Sequence, residues 1–294
     1  MELHQCRYVL AVAETGGFTR AAERCFVAQS ALSHQIAKLE RELGVTLFAR
    51  SSRRVELTQA GAAFLPWARE CLAAAERAVS EAADAAGEVR GRLTVGVIPT
   101  VAAVDIPELL QRFRDRYPAV RVALTMGASQ EMTERVAGGR LDAAFLGLPE
   151  VDEPVGVGAR ELARDDLVAV LSPGHRLGTA DHLSLAQIAD EVFVDFPAGS
   201  PGRSQSDLAF AAAGLARDVA FEVSTADLFT GLIRQGLAVG LLPASFIGPR
   251  GEGLLTVPVD DGPRRVEYLV WSDFNPSPAL RAFLGEVDRL SPVS

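Results

Sequence analysis

Residues 18–44 read FTRAAERCFVAQSALSHQIAKLERELG, and this stretch decides the fold of the N-terminal part of the chain. It predicts two short helices joined by a tight turn. The first is TRAAERCF, with Thr19 as its N-cap and with Ala21 and Ala22 small enough for a crossing helix to approach closely. The second is SALSHQIAKLERELG, which ends at Gly44, where a left-handed C-cap residue is expected.

The second predicted helix has two different faces. Its apolar stripe falls at helical spacing and is expected to face inward: Leu32, Ile36, Leu39 and Leu43. Small or hydrogen-bonding residues lie off that stripe: Ser30, Ser33, His34, Gln35 and Lys38. Such a helix suits insertion into a DNA major groove, although an ordinary amphipathic helix with a solvated face has the same pattern.

A two-stranded ribbon is predicted next, in the segment VTLFARSSRRVELTQAG, residues 45–61. Arg50, Arg53 and Arg54 cluster around a Ser-Ser turn, between two apolar strands. This pattern is typical of the wing of a winged helix-turn-helix. Guanidinium groups there pair with phosphates whatever the base sequence. An arginine cluster in a turn is usually just solvated, so its position beside the helix pair gives it weight.

Three segments closely match a known family: AVAETGGFTRAAE (11–23), QSALSHQIAKLERELGVTLFAR (29–50) and VELTQAG (55–61). Through them the chain up to about Trp67 resembles the N-terminal domain of LysR-type transcriptional regulators. Two departures stand out. Ala28 occupies a position where many members have a serine that caps the recognition helix. The loss of this cap should cost on the order of 1 kcal/mol of stability unless Ser30 or a later helix start compensates. Cys6 and Cys25 stand where leucine is common.

The resemblance implies an all-α winged helix-turn-helix domain plus a long linker helix, followed by an α/β two-lobed effector domain of the periplasmic-binding-protein-like (type II) fold. The expected boundaries are 1–58 for the DNA-binding domain, 59–90 for the linker and 91–294 for the effector domain. Within the last, lobe I is expected to comprise 91–161 and 266–294, and lobe II 162–265. The chain would cross between the lobes near 161–163 and 265–267.

The predicted DNA-binding residues are Thr19, Arg20, Gln29, Ser30, Ser33, His34, Lys38, Arg50, Arg53 and Arg54. Gln29, Ser33 and His34 are expected to meet base edges, while Lys38, Arg53 and Arg54 are expected to hold phosphates. The chain has a net charge of −9, but residues 1–58 carry eight Lys and Arg against six Asp and Glu, a net of +2. The acidity therefore lies away from the proposed DNA face.

A long alanine-rich helix is predicted from Thr58, its cap, to about Arg90. Apolar residues repeat in it with spacings of three and four: Leu65, Ala68, Leu72, Ala75, Val79, Ala82, Ala86 and Val89. A seam this regular favours pairing with a second copy of the helix, so a homodimer is expected, with residues from Leu65 to Ala82 in contact. The alternative is an isolated surface helix. A dimer would place two recognition helices at the two half-sites of a nearly palindromic DNA operator.

From Gly91 onward, short apolar runs alternate with helical stretches, which indicates an α/β fold with mostly parallel sheets. The strand candidates are LTVGVI, VRVALTM, DAAFLGL, LVAVLSP, EVFVDF, VAFEV and AVGLLP. About 200 residues exceed one small sheet, so two lobes are expected. The last helix is expected around Pro278–Leu290.

Loops at the strand ends are predicted to form an effector site. Thr100, Ser129 and Thr225 offer hydroxyls, amides at helix starts offer anion binding, and Arg203 is a candidate clamp for a carboxylate. Val101, Phe196 and Ser204 complete the predicted set. Helix capping explains the Thr and Ser residues equally well, and Phe196 suits a core position as well as a pocket wall.

Other classes of protein find little support. The segment MELHQCRYVLAVAET predicts an amphipathic helix with Cys6, Val9, Leu10 and Ala13 on one face, not a secretory signal, and no apolar run is long enough to span a membrane. A cytoplasmic location and no membrane partner are therefore expected. The spacing of the cysteines and histidines is not that of a metal site, so no bound metal is expected. The GxGxxG, Walker, GxSxG and HExxH motifs are absent, so we expect no cofactor and no enzymatic activity. A solute-binding protein would need a signal peptide.

The expected function is sequence-specific binding to an operator or promoter in double-stranded DNA, modulated by an unidentified small-molecule effector. The dimers are expected to join into a homotetramer that bends DNA, with RNA polymerase as a further partner. Effector binding would change how far the two lobes close on each other and hence the spacing between the DNA-binding domains of the assembly. The alternative is a redox-responsive regulator of the same family with Cys25 as a thiol switch, since nearby Arg20 and Arg24 favour the thiolate. A Cys6–Cys25 disulfide is a related possibility.

Overall fold

The computed structural model describes residues 1–50, 55–85, 88–273 and 276–290, with the backbone alone for Arg50. The chain divides into two compact units, Met1–Glu88 and Val89–Ser294. The division falls close to the predicted boundary between linker and effector domain.

The described part of the first unit contains four helices and a two-stranded ribbon. In chain order these are α1 (Leu3–Thr15), α2 (Phe18–Arg24), α3 (Gln29–Leu43), β1 (Phe48–Arg50), β2 (Val55–Leu57) and α4 (Gln59–Asp84). β1 and β2 are antiparallel, with Phe48 opposite Leu57. This order of helix pair, ribbon and long helix is the winged helix-turn-helix with linker that the sequence predicts.

The helix ends follow local chemistry. Gly44 closes α3 with a φ of 70°, and the Thr58 hydroxyl caps α4 by accepting the Gly61 amide at 3.0 Å. Ala28 is the N-cap of α3 and provides no side-chain hydrogen bond. The prediction that Thr19 caps α2 is wrong. The helix already begins at Phe18, because that ring is buried and packs edge-on against Phe48 at 5.8 Å.

The core of the first unit gathers around α3. Leu32, Ile36 and Leu39 are fully buried, but Leu43, the last residue of α3, is 40% exposed, against prediction. In α1 the buried residues are Gln5, Cys6, Val9, Ala11 and Val12, while Leu10 and Ala13 are only half-buried. The buried surface of α1 is broader than one stripe because α2, α3 and α4 all pack against it.

α4 ends at Asp84, earlier than predicted. Val89 packs on the core of the second unit, so it is not part of the linker seam, and Ala86 lies outside the described residues. The described seam therefore runs from Leu65 to Ala82.

The second unit is built from nine described strands and seven described α-helices. The strands are β3 (Gly91–Val97), β4 (Val120–Met126), β5 (Ala143–Pro149), β6 (Gly158–Leu171), β7 (Val192–Asp195), β8 (Asp218–Glu222), β9 (Gly240–Pro243), β10 (Leu255–Val257) and β11 (Arg264–Trp271). The helices are α5 (Ile106–Arg116), α6 (Ser129–Ala137), α7 (Leu185–Ile188), α8 (Pro201–Ala212), α9 (Ala226–Arg234), α10 (Ala244–Ile247) and α11 (Pro278–Leu290). The last helix has the predicted bounds.

The sheets are mixed, whereas mostly parallel sheets are predicted. The main sheet has the order β10-β6-β11-β5-β3-β4, with β9 also paired to β6, and β7 and β8 form a separate pair. β3 is parallel to β4 and β5, and β7 to β8. β6 and β11 are antiparallel to all of their partners. The antiparallel character arises because the chain passes between the lobes twice, in opposite directions, and the two passing strands pair.

β6 belongs to both lobes. Its residues 158–166 pair with β11, and its residues 167–171 pair with β9 and β10. The chain thus enters the second lobe at Leu167 and leaves it at Pro263, where the Leu167 amide donates to the Pro263 carbonyl at 2.9 Å. The predicted crossing near 161–163 is too early. β6 continues through the boundary between the lobes without a turn, so no local signal in the sequence marks that boundary.

Helices cover both lobes. In the first, Phe113, Phe145 and Phe283 stack edge to face, with centroid distances of 5.5 Å and 6.3 Å to Phe283. In the second, Phe193 and Phe210 do the same at 5.6 Å. Each lobe therefore has its own aromatic core.

Candidate functional site

The recognition surface, defined here as Thr19, Arg20, Gln29, Ser30, Ser33, His34 and Lys38, lies at α2 and α3. All of these residues are exposed except Ser33, which is half-buried. Lys38 Nζ lies 4.0 Å from Glu42, and an exposed pair this loose contributes little, so the ammonium group is available to a phosphate. Gln35 instead packs inside the unit, where its Oε1 accepts Gln5 Nε2 at 3.3 Å.

The start of α3 presents its own backbone to this surface. Because Ala28 provides no capping side chain, the first amides of the helix keep their hydrogen-bonding capacity and their partial positive charge. Gln29 and Ser30 are exposed at this end. Without this cap, the N-terminal end of α3 is suited to binding a DNA phosphate.

The turn between α2 and α3 contains an unusual residue. Phe26 is 95% exposed and adopts a φ of 56°, in the left-handed region that bulky residues rarely enter. Sequence reasoning did not single it out, because apolar residues are common in such turns.

Glu40 fixes the wing relative to α3. Its Oε1 accepts the backbone amides of Leu47 at 2.7 Å and Phe48 at 3.2 Å. Sequence reasoning missed this role because a glutamate on the polar face of a helix is normally solvated. The remaining wing candidates, Arg53, Arg54 and the side chain of Arg50, lie outside the described residues.

The seam of α4 is only partly covered within one chain. Ala68 is buried and Leu65 packs on the core of the first unit, whereas Leu72 and Ala75 are half-buried. Val79 is 60% exposed and Ala82 is also exposed. Trp67, which the seam prediction does not include, is 70% exposed on the same helix.

A cavity of about 440 Å³ lies between the lobes of the second unit. Of the predicted effector residues, Thr100, Ser129, Phe196 and Thr225 line it. Three others do not line it: Val101, Arg203 and Ser204. Val101 is buried in the first lobe's core, since its side chain faces away from the loop, and the Ser204 hydroxyl donates to the Ser200 carbonyl at 3.1 Å.

Arg203 is held by carboxylates instead of facing the cavity. Its guanidinium group bonds Asp207 and Glu222, each at 3.1 Å, and lies 4.0 Å from Asp195. The expected role as a clamp for a ligand carboxylate is therefore not supported, because acidic side chains of its own lobe already occupy the group.

Asp195 is the buried centre of this charge cluster. It is 3% exposed, and burial raises its pKa to about 6 against the opposing effect of Arg217, whose Nη1 lies 2.6 Å away. The Arg217 guanidinium group also lies over the edge-to-face pair Phe193 and Phe210, 5.2 Å from each ring centroid. The cluster joins the end of β7 to α8 and so holds the loop that carries Phe196.

A second buried charge pair lies at the cavity wall and escaped sequence reasoning. Arg265 and Glu267 are 2% and 1% exposed and bond each other. Arg265 also donates to the Thr100 hydroxyl at 2.8 Å and carbonyl at 2.9 Å. Glu267 accepts the amides of Ala102 and Ala103 at 3.1 Å. The available signal in the sequence was a pair of opposite charges, Arg265 and Glu267, two residues apart and so on the same face of the strand RRVEYLVW.

A contact between the lobes crosses the cavity at Gly147. The Ser129 hydroxyl donates to the Gly147 carbonyl at 3.0 Å and accepts its amide at 3.1 Å. From the other lobe, Gln205 Nε2 donates to the same carbonyl at 3.4 Å. A Cβ on Gly147 would lie 2.8 Å from the Cδ1 atom of Ile98, so that side chain would have to shift to admit it. Ser129 is thus largely engaged by the protein itself.

The cysteines are free thiols. Cys6 is fully buried, and burial together with nearby Cys71 raises its pKa, while Cys25 is half-buried. The guanidinium group of Arg24 pairs with Glu14 at 2.6 Å, which reduces its influence on Cys25. The thiol switch at Cys25 stays a prediction.

The described residues contain neither a metal-binding cluster nor a membrane-spanning helix. Within the described ranges, no three His, Cys, Asp or Glu side chains come together to hold a metal ion. In the same part of the chain, no helix is both long and apolar enough to cross a membrane.

Residues 3–62 match the family described as bacterial regulatory helix-turn-helix protein, lysR family, and residues 86–291 match the LysR substrate binding domain. The chain therefore belongs to the LysR family of transcriptional regulators. It combines an N-terminal helix-turn-helix with a C-terminal effector-binding domain.

The relatives support the same assignment. The HTH-type transcriptional regulator BudR of Raoultella terrigena is 32% identical over 97% of this chain and 99% of its own length. The crystal structure of CbnR, a LysR family regulator, has a TM-score of 0.69 at 28% identity and covers 99% of both chains. CbnR complexed with its target DNA has a TM-score of 0.68 at 29% identity, over 98% of this chain and 99% of that one. These relatives are regulators, not enzymes.

Similarity to a peroxide-responsive regulator does not favour the hypothesis that this protein is a redox-responsive regulator. The hydrogen peroxide-inducible genes activator of Escherichia coli O157:H7 is 29% identical over 94% of this chain and 91% of its own length. That identity is lower than the one with BudR, so it does not favour a thiol switch at Cys25.

Proposed function

We propose that this regulator binds an operator or promoter through its recognition surface and that a small molecule in the cavity between the lobes modulates this binding. The observation that carries the proposal is the cavity of about 440 Å³ between two lobes, in the same chain as an exposed recognition helix. The identity of the effector is left open.

On DNA, Gln29, Ser33 and His34 would read base edges. The residues that would hold the backbone are Thr19, Arg20, Ser30, Lys38, Arg50, Arg53 and Arg54. The support for this assignment is the uncapped start of α3 and the exposure of the described side chains other than Ser33, which is half-buried.

The assembly would be a homodimer through α4, two of which join as a homotetramer. The exposed apolar residues Val79 and Ala82 on a helix with a regular seam support pairing. RNA polymerase is the further partner expected of a regulator at a promoter, and the protein would act in the cytoplasm, where the DNA is.

The coupling would start at the cavity. Its walls come from both lobes, so a bound ligand changes how the lobes sit on the two strands that join them. A ligand shifts DNA binding only if it binds the two arrangements with different affinity.

The test is a gel-shift titration with the DNA upstream of the protein's own locus, compared with a scrambled duplex of equal length and composition. Preference for the upstream DNA, altered by a compound that also raises the thermal unfolding temperature, is the expected result. Equal affinity for both duplexes would contradict operator recognition, and an effector that stabilises the protein without changing DNA affinity would contradict the coupling.

A further inference from the structure

We propose that Cys6 and Cys71 form an oxidisable thiol pair, which a hydroperoxide converts into a disulfide within one chain. The bond would join α1 of the DNA-binding domain to the linker helix α4. This inference goes beyond the proposed function and involves neither Cys25 nor the cavity between the lobes.

The two cysteines lie on the faces of α1 and α4 that are packed inside the first unit. These two helices contact each other directly. Cys6 is fully buried and lies one helical turn before Val9, which is fully buried as well. Cys71 lies one turn after Ala68, which is 1% exposed. Because residues three apart share a face of a helix, Cys71 continues the buried face of α4.

The two thiols also interact with each other. Burial and then the nearby charge of Cys71 raise the pKa of the Cys6 thiol, and a charge acts in this way only over a short distance. Packed helix axes lie about 8–10 Å apart and Cα atoms about 2.3 Å from each axis, so facing Cα atoms come within the roughly 7 Å that a disulfide needs. Both cysteines are free thiols, so both are available for this bond.

The difference in exposure between the two thiols assigns their roles. Cys71 is half-buried and is not one of the predicted seam residues, whereas Cys6 is fully buried. The Cys71 thiolate therefore meets the oxidant first. Its sulfur attacks one peroxide oxygen, the O–O bond breaks, hydroxide leaves and Cys71 becomes a sulfenic acid.

Cys6 then completes the bond. Its sulfur attacks the sulfur of the Cys71 sulfenic acid, the S–O bond breaks, and the hydroxyl group leaves as water with the proton of Cys6. Two thiols and one hydrogen peroxide thus give one disulfide and two molecules of water. The thiols lose the two electrons that the peroxide gains, and an added dithiol reverses the change.

The disulfide would act on DNA binding through α1. This helix packs on α3, the recognition helix, as well as on α4. A bond that draws α1 onto α4 moves the recognition helix relative to the linker. Since a dimer reads two half-sites at a fixed spacing, such a shift should weaken operator binding.

The test is treatment of the full-length protein with hydrogen peroxide, then alkylation of the remaining thiols, tryptic digestion and mass spectrometry without reduction. The expected product joins residues 1–7 (MELHQCR) to residues 70–77 (ECLAAAER), and dithiothreitol should remove it. A link from 1–7 to 25–38, the peptide that contains Cys25, would overturn the pairing. A link between two copies of 70–77, or no disulfide at all, would overturn it equally.

Three alanine variants separate the roles of the thiols. Cys6→Ala should leave a Cys71 sulfenic acid that dimedone labels, because the second thiol is missing. Cys71→Ala should leave Cys6 unlabelled, because its burial protects it from peroxide. Cys25→Ala is the matched control and should form the disulfide as the wild type does. Labelling of Cys6 in Cys71→Ala, or loss of the disulfide in Cys25→Ala, would refute the assignment, and the map of the wild type depends on no variant.

The gel shift with the upstream DNA measures the effect on function. The oxidised wild type should bind at least about threefold more weakly than the reduced protein, whereas peroxide should not change the affinity of Cys71→Ala. Equal affinity of the oxidised and reduced wild type would refute the effect on DNA binding. Failure of the reduced protein to prefer this DNA would instead refute the proposed function, and the peptide map would still decide whether the thiol pair exists.

Discussion

The carboxylate of Glu40, in the recognition helix, accepts the backbone amide of Leu47, at the start of the wing, at 2.7 Å. The same oxygen also accepts the Phe48 amide. One side chain thus sets the position of the wing relative to the helix that would read the DNA bases. Charge-assisted bonds to backbone amides are among the stronger hydrogen bonds in proteins.

Glu40→Ala should lower the free energy of unfolding of the first unit by roughly 1.5–3 kcal/mol, because two backbone amides lose a charged acceptor. It should also weaken operator binding by displacing the wing. Glu42→Ala is the control, since Glu42 is exposed and its ion-pair partners among the described residues are Lys38 and the N-terminus. Urea unfolding and gel shift measure the two effects. Equal behaviour of both variants would show that Glu40 does not hold the wing.

Gln29→Ala and Lys38→Ala should separate base reading from phosphate binding. Loss of Gln29 should reduce the preference for the operator over scrambled DNA by roughly 1–3 kcal/mol, whereas loss of Lys38 should weaken both duplexes alike. The salt dependence of binding should become shallower only for Lys38→Ala. Parallel loss of specific and nonspecific binding in both variants would contradict the division of roles.

Val79→Glu and Leu72→Glu should dissociate the dimer and abolish operator binding, because a carboxylate would be buried in the seam without a partner. Ala74→Glu is the matched control on the exposed side of the same helix. Sedimentation velocity at micromolar concentration should find monomers for the seam variants and dimers for the control. An intact dimer in both seam variants would rule out pairing through this helix.

Phe26→Asn should raise the free energy of unfolding of the first unit by about 1 kcal/mol, because asparagine tolerates the left-handed conformation that strains phenylalanine. Little packing is lost, since the ring is 95% exposed. Phe26→Ala removes the ring without relieving the strain, so it should change stability much less. If alanine stabilises as much as asparagine, the ring rather than the backbone is the source of the strain.

Asp195 should make stability depend on pH in the unusual direction for a carboxylate. Its folded-state pKa of about 6 exceeds the ordinary 3.8, so the folded protein binds the proton more tightly than the unfolded chain does. The cost of burying the charge is fully present above this pKa and is relieved as pH falls through it.

Between about pH 7 and pH 5, the wild type should therefore gain about 1 kcal/mol relative to Asp195→Asn. Urea unfolding of the second unit at several pH values measures the difference. Asp207→Asn, which contacts the same two arginines from a half-exposed position, should keep the wild-type slope. A constant difference between wild type and Asp195→Asn would mean that Asp195 does not titrate in this range.

The first unit could be predicted well because its structure depends on local signals. The stop at Gly44, the cap at Thr58 and the stripe from Leu32 to Leu39 follow from helix chemistry. Errors occur where tertiary packing decides, as at the start of α2, which the burial of Phe18 sets.

The cavity could be predicted only in part for the same reason. Thr100, Ser129 and Thr225 were found because loops after strands meet at one edge of a sheet. Arg203 was misjudged because its carboxylate partners come from positions 207 and 222, which no local pattern connects. Arg265 and Glu267 were missed because their partners lie 165 residues away, beyond the reach of periodicity.

The single strand β6, whose two halves serve different lobes, also limits how such a protein is rearranged. The first lobe is not a contiguous stretch of sequence, because the second lobe, Leu167 to Pro263, is inserted within it. A cut at the junction before Leu167 divides a strand whose other half lies in the neighbouring lobe. A functional exchange of one lobe between relatives would have to replace everything from Leu167 to Pro263 in one piece. The two junctions, before Leu167 and after Pro263, would then have to keep the pairing register of β6 and β11. Because the cavity is lined by both lobes, such an exchange would replace only part of its wall and would leave Thr100 and Ser129 in place.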